Sequence, residues 1–349
     1  MTKRPPIFVW IYWGIVSSII FLFFGFELLT FFRNIPYVPR DSVVVFVKPG
    51  SSVKEISTQL SESNILLSPW KFRFLTRLRK KQAALKPGEY RFDLPSTPWA
   101  VLETLIGGKV LRHKITVREG LTVKDVTEIV TQTKLVNINE FQNALARQDL
   151  LKSFEVPSET FEGFLFPDTY YFTKTDGAIR ILETMVARFR QAIVPQDEHK
   201  AKEIGFNLLQ WVTLASIIEK ESNLSQEHRF ISSVFHNRLR KRMRLQSDPT
   251  VIYGIPNFNG NLTKKDLTTK TPYNTYTKYG LPPGPIGNPG ASALHAAVNP
   301  ENTDYLYFVA DRKGRHVFSK TYKEHLKAVL LFQLPGSANA RNLAKRADL

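Results

Sequence analysis

Two glutamates close an apolar run in "TLASIIEKESN", Thr213 to Asn223: Glu219 and Glu221, with Lys220 between them. Paired carboxyls can do acid–base work on one bond, but only if both reach it. On a helix, at about 100° per residue, these two lie roughly 160° apart around the axis and cannot form such a dyad. Trp211, Leu214, Ala215 and Ile218 make an apolar stripe at i, i+3, i+4 and i+7. Glu219 borders it beside Ala215, Glu221 borders it beside Ile217, and Lys220 points to solvent. A carboxyl on a buried border has a raised pKa, carries a proton near neutrality and can pass it to a leaving oxygen. The other acid is then solvated or pairs with a cap. Spacing alone does not choose between them, and two ordinary helix-end acids are the plainer reading of the same pattern.

Two loops offer what a sugar needs. "RLQSDPTVIYG" and "TPYNTYTKYGLPPGPIGNPG" set Gln, Asp, Asn, Thr and Tyr among prolines and glycines. Saccharides are held by planar polar groups and aromatic faces, and prolines stiffen the segments that carry them. Loops of this length in compact domains are usually functional or disordered, and the aromatic content argues against disorder; the plainer reading is an ordinary long connector. His236, His295, His316 and His325 lack a ligand spacing such as H-E-x-x-H and read as surface or core residues, so no metal and no cofactor is expected. No P-loop, dinucleotide-binding glycine pattern or G-x-S-x-G is present. The chain has no cysteine, which excludes a disulfide scaffold, a Cys-based zinc site and a lipid-modified cysteine anchor.

The elements that must position these residues read as a mixed α+β set. "FEGFLFPDTYYF" has the alternation of a strand with a Pro-Asp turn, and Ile179 to Ile193 and Trp211 to Ile218 are helical. "FISSVFHNRLRKRMRLQSDPTVIYG" is a helix followed by a loop, and "DYLYFVADRKGRHVFS" is a hairpin around Lys313 and Gly314. The final 25 or so residues look polar and frayed.

The chain of 349 residues carries a net charge of +17, which favours anionic partners such as acidic lipid, nucleic acid or an acidic polymer. Behind the basic start "MTKRPP", Ile7 to Phe26 is uncharged for 20 residues, enough to span about 30 Å of hydrocarbon. The exit "ELLTFFRNIP" lacks a small-residue cleavage site, so a retained anchor is expected. Lys3 and Arg4 favour a cytoplasmic N-terminus with the rest of the chain outside the cytoplasm, where nucleic acid is not expected as a partner.

Further along, "VKPGSSVKEIS" (Val47 to Ser57) recurs as "VREGLTVKDVT" (Val117 to Thr127), displaced by 70 residues throughout. Each copy reads as strand, glycine turn, Ser/Thr cap and helix, with an acid three places after the cap. The first continues through a helical pattern, Pro69 to Lys81, to the strand "EYRFDL". This β-α-α-β order resembles a LysM-like module, a small fold often used to hold N-acetylglucosamine polymers. Pro98 to Gly107 reads as a further helix. Lys71, Arg73, Arg77, Arg79, Lys80 and Lys81 crowd one helix, either as a solvated basic face or as a surface for anionic lipid or wall polymer.

"LASIIEKES", "VFHNRLRKRMRLQSDPTVIYG", "TPYNTYTKYGLPPGPIGNPG" and "YLYFVADRKGRHVFS" together closely resemble the YceG-like endolytic murein transglycosylases. The likeness spans nearly the whole chain. It implies a membrane-anchored lytic transglycosylase that cuts the β-1,4 bond between N-acetylmuramic acid and N-acetylglucosamine in nascent peptidoglycan strands, leaving 1,6-anhydro ends. It implies action at the outer face of the cytoplasmic (inner) membrane near the peptidoglycan synthases, and it assigns the catalytic acid to the second Glu of E-K-E, Glu221. The family commonly has Thr next, where this chain has Ser222. Gln246, Asp248, Tyr273, Asn274 and Tyr276 are then candidates for glycan contact or for orienting the acid, with Asp248 alternatively bracing its Pro turn. The expected organisation is a cytoplasmic tail at 1–6, an anchor at 7–32 and a linker at 33–42. A LysM-like module at 43–108, a catalytic domain at 109–335 and a polar tail at 336–349 follow.

Overall fold

An apolar run, uncharged from Ile7 to Phe26, has no competing use for its backbone groups and folds within one helix, α1 (Ile7–Phe32). Its stretch Ile7–Leu29, 23 residues with a mean hydropathy of 2.3, is long and apolar enough to cross a membrane. The computed structural model describes residues 7–32, 40–94 and 96–333. The expected tails at 1–6 and 336–349, and most of the expected linker, lie outside them.

Both copies of the repeated pattern fold for the same local reasons. In the first, β1 (Arg40–Val47) begins inside the expected linker and turns at Gly50, φ +81°, into α2 (Val53–Glu62). Ser52 caps α2, and Glu55 bonds back to the Ser52 N–H at 2.7 Å, closing a capping box. Then follow α3 (Pro69–Leu78), β2 (Gly88–Leu94) and α4 (Pro98–Gly107). In the second copy β3 (His113–Thr116) turns at Gly120, φ +74°, into α5 (Val123–Gln132), and Thr122 and Asp125 form the matching box.

The chain divides into two units: residues up to His113 together with Tyr171–Asp176, and Lys114–Tyr170 with Gly177 onward. In the first, β1 and β2 pair antiparallel with Val45 opposite Tyr90 and Val47 opposite Gly88. Ile56, Leu60, Phe72, Val101, Leu102 and Leu105 close the core beneath them. The basic helix is not a uniformly solvated face. Lys71 is buried and pairs with Glu27 of α1, while Arg79 pairs with Glu103 and stacks on Trp99 at 4.4 Å. Covering these cations with carboxylates and an aromatic ring removes them from any free basic surface.

After α5, and in the second unit apart from the end of β4, come α6 (Ile138–Leu145), α7 (Gln148–Ser153), β4 (Thr169–Phe172), α8 (Gly177–Ala192), α9 (Pro195–Glu203) and α10 (Leu208–Glu221). After α10 come α11 (His228–Arg240), α12 (Asp248–Tyr253), α13 (Lys264–Thr268), α14 (Ala291–Val298), β5 (Tyr307–Ala310), β6 (His316–Ser319) and α15 (Tyr322–Phe332). β3 pairs with β4, and β5 pairs with β6 as the expected hairpin, Tyr307 opposite Ser319. Two expectations fail here. "FEGFLF" is a turn segment rather than a strand, because Phe161, Phe164, Leu165 and Phe166 are all buried and cannot alternate in and out. The region expected to fray holds α15 through Phe332, anchored by buried Leu326 and Ala328.

α10 is the central helix of this unit. Asn207 and Gln210 box its start, and it packs against α9, α11, α12 and α14. Every residue from Trp211 to Glu219 is buried, so the one-sided stripe read from sequence is part of a helix covered on all sides. Small Ala215 and Ser216 let neighbours approach. Ser216 Oγ accepts the Ile286 N–H at 3.1 Å and donates to the Thr213 carbonyl, tying the Pro/Gly loop to the helix.

Candidate active site

Glu219 and Glu221 end α10 facing different partners, as the helical angle requires. Glu219 is 6% exposed, and its carboxylate accepts the Gly290 N–H at 2.9 Å at the start of α14. It is a buried support for that helix, so the solvated role allowed by the sequence is ruled out. Burial pushes its pKa up to about 7; the Gly290 bond opposes this and Glu119 adds to it.

Glu221 keeps an exposed edge, yet its carboxyl is surrounded densely enough that loss of water pushes its pKa up to about 7. Ser247 Oγ donates to it at 2.5 Å and pulls the pKa down; Asp248 pushes it up; His316 and Arg238 favour the ionised form. A proton held near neutrality on a residue that is only partly buried is the property a general acid needs.

Three elements hold these neighbours. Ser247 precedes α12, and its N–H donates to Thr275 Oγ1 at 3.0 Å while Gln246 N–H donates to the Thr275 carbonyl. Tyr276 donates its phenol to Asp248 at 2.6 Å, and burial followed by that bond raises its pKa. Arg238, buried on α11, donates to the Leu306 and Leu245 carbonyls at 2.7 and 2.6 Å and lies over Tyr307. From the hairpin, His316 Nδ1 donates to Glu227 at 2.7 Å, and the same carboxylate oxygen accepts from Ser222 at 3.1 Å. Burial raises the Glu227 pKa, but the bonds from His316 and Ser222 together outweigh it and hold it below the ordinary value. His228 donates through Nε2 to the Ser222 carbonyl at 2.9 Å and bonds Ser292 through Nδ1. The residue after the acid is thus fixed on both its side chain and its backbone.

The predicted loop residues separate into groups. Asp248 and Tyr276 come to Glu221. Gln246 is exposed beside Ser247, in the left-handed region at φ +50°. Tyr273 instead lies 4.8 Å from the Tyr253 ring, next to Glu162. Asn274 is corrected: it is fully buried, its amide donates to the Asp266, Leu267 and Thr269 carbonyls, and its oxygen accepts from Tyr276 N–H. With no surface left for a ligand, it braces the loop.

Sequence reading misses Ser247, Glu227, His228 and Asn288, and sets His316 aside. It also misses Glu162, a buried acid in "FEGF" that accepts the Val123 N–H at the start of α5 and the Tyr253 phenol at 3.1 Å. Burial pushes Glu162 up to about 7. Ser247 alone has a local signal, standing one place before the Asp-Pro turn. The others act through tertiary bonds.

A cavity of about 720 Å³, lined by Phe154, Phe164, Phe189, Phe206 and Trp211 among others, does not include Glu221. Its two carboxylates, Glu155 and Glu198, pair with Arg190 and Lys202, so the surroundings of Glu221 define the candidate site.

Residues 45–330 match the model of the YceG-like family. The chain belongs to the YceG-like family. A relative from Bacillus subtilis named endolytic murein transglycosylase is 33% identical over 306 residues, covering 83% of this chain and 84% of that one. A relative from Streptococcus pneumoniae serotype 2 with the same name is 26% identical over 358 residues, spanning 89% of this chain and 63% of its own length. The crystal structure of a YceG-like protein from Listeria monocytogenes superposes with a TM-score of 0.56 at 32% identity, covering 83% of this chain and 99% of that one. The YceG-like match takes in both copies of the repeated turn and all of the Glu221 surroundings.

Proposed function

We propose that this chain is a membrane-anchored lytic transglycosylase that cleaves peptidoglycan strands with Glu221 as its acid. The observation that carries the reading is Glu221 itself: a carboxyl with a pKa near 7, steadied by Ser247, at the end of a buried helix and open on one edge. The relatives named endolytic murein transglycosylase supply the substrate class.

Protonated Glu221 donates to the oxygen of the β-1,4 bond between N-acetylmuramic acid and N-acetylglucosamine as the C1–O bond breaks. The muramic C6 hydroxyl oxygen then bonds to C1, and the Glu221 carboxylate takes the hydroxyl proton back. No water is consumed, the new end is a 1,6-anhydro sugar, and one carboxyl serves both steps. Asp248 accepts the Tyr276 phenol beside it and raises the proton affinity of Glu221. Gln246, Asp248, Tyr273 and Tyr276 are proposed to face or orient the glycan. α1 anchors the chain in the cytoplasmic membrane lipid with the N-terminus inside and the catalytic unit outside. The β-α-α-β unit acts as a LysM-like glycan holder, and the peptidoglycan synthases are the expected neighbours.

Glu221→Gln in the full chain is expected to lower strand cleavage at least about a thousandfold. Mass spectrometry of wild-type products should show ends lighter by one water than reducing ends. Reducing ends would make the enzyme a hydrolase, and unimpaired cleavage by the variant would remove Glu221 from the chemistry.

A further inference from the structure

The basic run at the end of α11 is not consumed by the site around Glu221. Arg238 points inward and is spent on carbonyls, whereas Arg240, Lys241, Arg242 and Arg244 are exposed. Among the described residues, none of Lys241, Arg242 and Arg244 pairs with a carboxylate. Like charges crowded this closely repel one another, and an anionic ligand relieves that cost.

The surroundings of these cations are shaped. Arg242, turned by a left-handed backbone at φ +53°, lines a cleft of about 540 Å³ with Leu239, Met243, Tyr279 and Gly280. Arg244 lies 5.0 Å over the ring of Tyr279, which is 66% exposed. Gly280, at φ +82°, has open space where a side chain would stand. The cleft is also tied to the catalytic residues. Gln246 and Ser247 bond to Thr275, so segments 244–248 and 275–279 run together, with Ser247 bonding Glu221 and Arg244 stacking on Tyr279. From Arg244 to Ser247 is at most about 11 Å of chain, within reach of a polymer held at the acid.

We propose that this cleft is a subsite for a carboxylate-bearing substituent of the glycan, such as a stem peptide. A sugar ring rests on Tyr279, and Arg242 and Arg244 pair with the carboxylates. Guanidinium groups match carboxylates two bonds at a time, and an exposed tyrosine presents an apolar face. The inference rests on the glycan-cleaving reading and adds to it a preference for charged, substituted strands over bare ones.

Binding to the full-length Glu221→Gln protein, which holds strands without cutting them, provides the test. By calorimetry, stem-bearing strands are expected to bind about tenfold more tightly than strands stripped of peptide. Arg242→Gln/Arg244→Gln should shrink that ratio to within about twofold, and the single Arg244→Gln, at an ordinary backbone position, should shrink it in the same direction if the double variant folds poorly. Equal binding of both strands, or a preference unchanged in folded Arg244→Gln, overturns the proposal. Displacement of the strand by inorganic diphosphate but not by free stem peptide also overturns it, reassigning the cleft to phosphate. Strand cutting by the wild type is read separately and judges the catalytic reading whatever the binding ratio is.

Discussion

The chemistry of this chain turns on the difference between two glutamates two residues apart. Both are pushed to a pKa near 7 by burial, so proton affinity does not separate them. Access and partners do. Glu219 is closed in against Gly290, whereas Glu221 keeps an open edge and takes a hydroxyl donor from Ser247. Because that bond favours the ionised form, Ser247→Ala should raise the Glu221 pKa. The alkaline limb of kcat/KM, expected near pH 7 in the wild type, should then move up by up to about one unit, with kcat reduced about tenfold. A lower kcat with an unmoved limb would make Ser247 merely structural. The divergence of the two carboxyls was legible from helical spacing. The importance of Ser247, 26 residues away in sequence, was not, because only folding brings it to Glu221.

At the scale of elements, α10 is positioned by what lets other segments close on it. Gly163 illustrates this: at φ +89°, an added Cβ would stand 2.6 Å from Pro285 and 2.8 Å from Val212 of α10. Gly163→Ala should therefore cost about 3 kcal/mol or more, combining backbone strain with overpacking. The denaturation midpoint measures it, and an unchanged midpoint would show that the loop yields freely. Asn288 is the counterpart in polar bonds, with its amide between the Leu121 carbonyl and the Leu165 N–H. The paired capping boxes at Ser52 and Thr122 were readable because a cap is a local bond. The roles of Asn274, Asn288 and His316 were not, since their partners come from segments that sequence spacing does not relate.

Across the whole molecule, among the described residues, three acids whose pKa is raised to about 7 shape the pH response. Glu162, Glu219 and Glu221 are each raised from an ordinary 4.5 to about 7. The folded state then binds more protons than the unfolded one between those values. Their stabilising contribution is full below about pH 4.5 and is lost as pH rises through about 7. The melting temperature should accordingly be lower at pH 8 than at pH 5.5. Glu219→Gln, which can still accept the Gly290 N–H, should reduce that difference; a variant with the wild-type slope would count against a buried, proton-holding Glu219. For α1, deleting residues 1–32 should move the protein from carbonate-washed membranes to the soluble fraction. Retention in the membrane would assign the anchoring to another surface.

The sequence by itself determined what depends on neighbours in the chain: the apolar α1, both glycine turns with their capped helices, the hairpin around Gly314, and two carboxyls that cannot share a bond. Each follows from backbone geometry and hydrophobic period within a few residues. Tertiary structure alone decided that α10 is covered on all sides, that Asn274 braces instead of binding, and that Glu227 and His316 fix the residue after the acid. It also decided which glutamate is closed in and which is only partly buried. Burial and long-range hydrogen bonds set these outcomes, and both arise only when distant segments pack.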